Sequence, residues 1–171
     1  MTLFTKSFSK TRLALIAAGL GSVLAASSAS AEYRVTAFGD AIAYKALISM
    51  DVESAKSAFY TKDLTKLDFV AANNLCVTQI LSKELSAAIA SCELALEKVE
   101  TDFELTVSLE KEAKASIFSN LAVAKAMSGD LTGASADLER ALMLNVRDQN
   151  AKVNIRQISA NLDVSGDIAQ N

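Results

Sequence analysis

An all-α chain, folded as a short α-solenoid of about two to three antiparallel helix pairs and a capping helix, is predicted by three observations. With 51% apolar residues, abundant alanine and no proline, the sequence can build one continuous core from uninterrupted helices. Residues 115–150 read as two amphipathic helices hinged at Gly129-Asp130, with small residues (Ala122, Ala134, Ala141) where the helices would touch and larger apolar ones (Phe118, Leu121, Leu131, Leu138, Leu142, Leu144) beside them. The same arrangement recurs upstream, as an array needs, because one helix pair cannot bury its own apolar face.

The first 31 residues stand apart. Lys6, Lys10 and Arg12 precede the apolar run from Leu13 to Ala26, and Ser27-Ser28-Ala29-Ser30-Ala31 ends in an A-x-A site before Glu32. That is the pattern of a secretory signal peptide, and the apolar run is short for a membrane span; an uncleaved anchor is the competing reading. The expected organisation is a signal peptide over 1–31, a helical repeat domain over 32–165 and a flexible tail over 166–171. No stable membrane insertion is expected after cleavage. Periplasmic location is favoured over full secretion.

Within the domain, residues 36–68 offer only Asp51 at a turn, with Ala55 and Phe59 at the contact positions of a second helix. Residues 69–102 are clearer. There Asn74-Leu75-Cys76 falls where Asn120-Leu121-Ala122 falls in the best segment, and Ala88, Cys92 and Ala95 match Ala134, Leu138 and Ala141. The turn is Lys83-Glu84, a weaker signal than Gly-Asp. From Glu97 to Lys114 the chain carries about 12 residues beyond one repeat period, read as longer helices or as an extended arm through Phe103, Leu105, Val107 and Leu109. Asn154-Ile155 repeats the Asn-Leu pair once more and marks a capping helix over about 150–161.

These residues resemble the tetratricopeptide repeat, a helix-turn-helix unit of about 34 residues, and with the leader they resemble an exported bacterial member of that family. Phe118 stands for the family's Trp, Leu121-Ala122 for its Leu-Gly, Ala134 for the Ala near the turn, Leu138 for the following aromatic and Ala141 for the last small position. Lys125 replaces the Tyr and Val146 the closing Pro.

The resemblance implies a right-handed superhelix whose concave wall comes from the first helix of each repeat. By position that wall is Val70, Asn73, Val77, Ile80 and Leu81 in one repeat and Ser116, Ser119, Val123, Ala126 and Met127 in the next. It is mostly apolar, suited to an amphipathic helix or an extended apolar segment of a protein or peptide partner. The basic and Asn side chains with which some members clamp a terminal carboxylate are not expected there. Alternatively, the chain's own N-terminal helix, around 37–50, or a second copy fills the wall. The repeat register also sets Cys76 opposite Cys92 across a helix pair; a disulfide closing a loop of about 16 residues would be worth roughly 3 kcal/mol. Two buried free thiols are the other reading.

Charge and composition remove several functions. Without the leader's three basic residues, 14 Lys and Arg face 20 Asp and Glu, a net charge of −6, which disfavours nucleic acid and anionic membranes as partners. The chain has no histidine, the commonest general base and metal ligand, and neither G-x-S-x-G nor a phosphate-cradling glycine loop occurs. Glu97, Glu100, Asp102, Glu104, Glu110 and Glu112 lack calcium-loop spacing and read as a solvated face. No catalytic residue, cofactor or metal is therefore expected. An exported, non-catalytic scaffold is the preferred function, with a self-contained structural or oligomerisation module as the alternative.

Overall fold

Helix starts are written into the sequence as side-chain caps. Asp51, Asp68, Thr106 and Asp130 accept from the backbone N–H three residues on, satisfying donors that the first turn leaves orphaned. Asp148 does the same for Asn150 and Ala151. The resulting helices are α1 (Tyr44–Ile48), α2 (Val52–Ser57), α3 (Phe69–Leu81), α4 (Leu85–Thr101), α5 (Val107–Ser128), α6 (Leu131–Leu144) and α7 (Gln149–Ile168), with a 3-10 turn at Leu64–Lys66. The structure, a computed structural model, describes residues 6–7 and 33–168, with side chains described over 33–161. Apart from strand β1 (Lys6–Ser7), the leader expected over 1–31 lies outside the described residues.

The fold is all-α, with adjacent helices packed in antiparallel pairs: α1 on α2, α3 on α4, α5 on α6, and α7 closing the array against α6 and α5. One backbone device sets every pair. Met50, Lys83 and Gly129 take φ of 60°, 63° and 97°, and each is followed by an acidic residue at the start of the next helix. This left-handed residue reverses the chain at all three turns, so the faint segment before residue 69 is a true, shortened helix pair. Ala55, Ala88 and Ala134 are fully buried at equivalent contact points, as are Ala95, Ala122, Leu138 and Ala141, and Leu75 and Leu121 are almost completely buried. Phe118 is half-buried beneath the Arg140 guanidinium, 5.8 Å from its ring centroid.

Cys76 and Cys92 are fully buried and joined in a disulfide between α3 and α4. The lengthened segment before Lys114 resolves into longer helices: α4 runs to Thr101, a short link carries Phe103 fully into solvent, and α5 begins at Val107. No extended arm forms, because Thr106 caps a helix where the alternation of Leu105 and Val107 suggested a strand. At the far end α7 continues through Ile168, so the tail expected from residue 166 starts inside a helix and the cap runs beyond residue 161.

Among the described residues, one further element besides β1 is not helical. Residues 33–38 are extended and include strand β2 (Thr36–Ala37), which pairs antiparallel with β1 in the register Lys6 to Ala37 and Ser7 to Thr36. Val35, Thr36, Ala37 and Phe38 are almost completely buried, and Phe38 meets Phe69 edge to face at 6.1 Å. The helix expected around 37–50 is thereby corrected: only Tyr44–Ile48 is helical, after left-handed residues at Asp40 and Ala43 break the chain.

Candidate functional site

Three asparagines explain why a non-helical segment containing strand β2 lies inside a helical array. Asn74 on α3, Asn120 on α5 and Asn154 on α7 occupy the same inner position of successive first helices, and all are fully buried. Asparagine is a poor helix former, and a buried amide without partners is costly. Here each carboxamide meets both backbone groups of a single strand residue.

Asn154 Oδ1 accepts from Arg34 N–H at 2.8 Å while its Nδ2 donates to the Arg34 carbonyl at 2.8 Å. Asn120 treats Thr36 identically, at 2.8 Å in both directions. Asn74 does so for Phe38 at 2.8 and 2.9 Å, and its Nδ2 also donates to the Ile42 carbonyl at 3.1 Å. Strand residues two apart present backbone groups to the same side, so a two-residue step along the strand matches one helix-to-helix step across the array. The result is a ladder of three carboxamides, set against the strand as a neighbouring β-strand would be.

Flanking amides lock the central rung. Asn73 Nδ2 donates to the Thr36 carbonyl at 2.9 Å and Asn73 Oδ1 accepts from Asn120 at 2.8 Å. Asn150 Nδ2 donates to the Thr36 hydroxyl at 2.8 Å, and Asn154 Nδ2 reaches Ser119 Oγ at 3.2 Å. At the strand's beginning the Tyr33 hydroxyl accepts from Asn161 at 3.2 Å. Burial pushes that phenol above its ordinary pKa, with the Asn161 bond opposing part of the shift.

The residues expected to form an open apolar wall are mostly buried. Val70, Asn73, Val77, Ile80, Ser116, Ser119, Val123 and Ala126 are buried, Leu81 is half-buried, and only Met127, at 37%, is exposed. An apolar groove open to a partner is therefore not what this face presents. Asn73 is the one member of that set with a polar role.

A second region beside the strand is open. Side chains on a helix lean toward its N-terminus, so the strand bonded by Asn120 lies over the turn preceding it, near Ser116. Beyond that strand edge is a cleft of about 560 Å³, bounded by Thr36, the first turns of α5 and the α6–α7 connection. Apart from Leu144 its lining side chains are polar, and they carry both charge signs: Lys111 and Glu112 from α5, Arg147 and Asp148 opposite. Ser116, only 5% exposed, faces the cleft from its floor.

Among the described residues, no group of three or more His, Cys, Asp or Glu side chains could hold a metal ion, and no helix is long and apolar enough to cross a membrane. The acids between Glu97 and Glu112 are partly spent on Lys114, which bridges Glu110 at 2.8 Å and Glu100 at 3.3 Å. Those contacts, the Glu110 bond foremost, raise the Lys114 pKa.

The chain matches no family profile, no curated protein and no solved structure. Its own geometry carries the functional reading. The recurrence Asn74, Asn120, Asn154 is legible in the sequence as a register mark; that the three amides grip a strand depends on contacts 36 to 120 residues apart.

Proposed function

We propose that this protein is an exported, non-catalytic scaffold of the tetratricopeptide-repeat kind, built to hold extended polypeptide against its first helices. Its own N-terminal strand is the resident occupant. A protein or peptide partner meets the open cleft beside that strand. The observation that carries this reading is the ladder, because it engages only backbone N–H and C=O groups and so suits an extended chain whatever its side chains. Export is supported by the leader pattern and by a buried disulfide, which persists in an oxidising compartment.

Burial of the apolar wall also favours, in part, the alternative of a self-contained module. Displacing the strand would expose Val35, Ala37 and Phe38 and strip six ladder bonds at once. A partner is therefore assigned to the cleft. Affinity capture from the native exported fraction separates the two readings, using wild type against a Lys111→Glu plus Arg147→Glu variant. Both side chains are exposed, so the variant is expected to keep the fold. The scaffold reading expects a protein that the variant recovers at least tenfold less; identical recoveries favour the self-contained module.

A further inference from the structure

The ladder uses one edge of the N-terminal strand and leaves the other to a second strand. Arg34, Thr36 and Phe38 give their N–H and C=O groups to Asn154, Asn120 and Asn74. In an extended chain the intervening residues, Val35 and Ala37, direct theirs to the opposite side. That edge accepts a strand in this very structure, since the backbone of Lys6–Ser7 pairs with it antiparallel, Lys6 opposite Ala37. The pairing is two residues long and belongs to the segment read as a leader, so on the proposed export route cleavage would vacate it.

We infer that this outer edge, beside the cleft that Thr36 helps to line, is a strand-addition site for an extended and polar segment of a partner polypeptide, running antiparallel to residues 34–38. The inference rests on the scaffold reading and adds to it the form of the partner. Backbone bonds to Val35 and Ala37 supply the attachment, as in other cases of strand addition. The cleft supplies the preference: ten of its eleven lining residues carry a hydroxyl, an amide or a charge, and Leu144 alone is an apolar side chain, so the apolar face of an amphipathic helix finds little to bury against. Lys111 and Arg147 have no carboxylate within bridging distance among the described residues and are available to acidic side chains of the added segment; Glu112 likewise suits a basic one.

The test uses the full chain carrying Lys6→Pro, which removes the backbone donor of the internal pairing and opens the edge. The probe is a synthetic peptide with the sequence of residues 3–10, LFTKSFSK, titrated calorimetrically. It should bind the variant at least tenfold more tightly than it binds wild type, whose edge is already paired, and N-methylation of the peptide's first lysine amide should abolish that gain. Equal affinity of the methylated and unmethylated peptides, or no binding by either, overturns strand addition. If the peptide fails while the Lys111→Glu plus Arg147→Glu variant still loses a captured protein, the scaffold reading stands without this site. If both fail, both are wrong.

Discussion

Shifted by 46 residues, the pair α3–α4 superposes in sequence on α5–α6, and at four matched positions the two pairs solve the same problem with different residues. At the turn, Gly129 takes its φ of 97° freely, with nothing near the place a Cβ would occupy, whereas Lys83 adopts φ 63° against its own side chain. At the next position Asp130 caps Gly133 N–H at 2.8 Å, but Glu84 makes no cap and is drawn to Lys56 at 2.6 Å instead. Between the helices, Lys125 Nζ reaches the buried Asp137 carboxylate at 2.6 Å with Arg140 at 3.1 Å on its other oxygen. The equivalents in the first pair are Gln79 and Ser91, and Gln79 Oε1 is a buried acceptor without a hydrogen-bond partner. At the fourth position Ala122 meets Leu138 by packing alone, while Cys76 and Cys92 are covalently joined. The pair with the poorer turn, cap and polar pairing is the one with the staple. What does not differ is the asparagine, since Asn74 and Asn120 do the same work.

Removing that shared feature should have the largest effect. Asn120→Leu keeps the side-chain size but leaves the Thr36 N–H unpaired and weakens the whole rung, at about 3–5 kcal/mol by summing groups worth 1–3 each. Denaturant midpoints followed by circular dichroism measure it, and a loss below about 1 kcal/mol would show the rung to be dispensable. The staple comes next: Cys76→Ala with Cys92→Ala should cost about 3 kcal/mol, since the closed loop spans 16 residues.

Breaking the ion pair of α5–α6 should cost slightly less. Asp137→Ala strands the Lys125 amine, at about 2–3 kcal/mol, below the full-burial range because Arg140 is exposed. Adding Lys125→Met should recover most of that loss. A double variant as unstable as the single one would mean the carboxylate acts elsewhere. Exchanging the turn residues gives the smallest and most symmetrical effect. Lys83→Gly should stabilise, and Gly129→Lys destabilise, by about 1 kcal/mol each, because only the backbone preference changes. Equal signs would show that the two turns are not equivalent.

The residues differ in what their sequence revealed. The repeat register was readable because Ala, Leu and Asn recur at helical spacing, and the register placed Cys76 opposite Cys92. Lys125, which departs from the pattern of the repeat that the sequence resembles, is answered by Asp137 on the facing helix; departures of this kind become intelligible in pairs. The strand was not legible. Strand β2 is only two residues long, too short to announce itself, and the partners of its segment are amides on three helices far along the chain. Three asparagines in the buried middle of helices, where propensity and burial both oppose them, were the available signal. The cleft was invisible for the same reason, being bounded by the start of one helix and the connection between two others.

The central claim is that the chain's own strand lies across the first helices of the pairs, held rung by rung. Amide hydrogen exchange on the folded protein tests it at the Arg34, Thr36 and Phe38 N–H groups, each donated to an asparagine oxygen at 2.8 Å. The account predicts that Thr36 and Phe38 are protected nearly as strongly as the centres of α3 and α5, with Arg34 somewhat less, and that Asn120→Leu strips the protection of Thr36. Exchange of all three at the rate of an unstructured chain would contradict it.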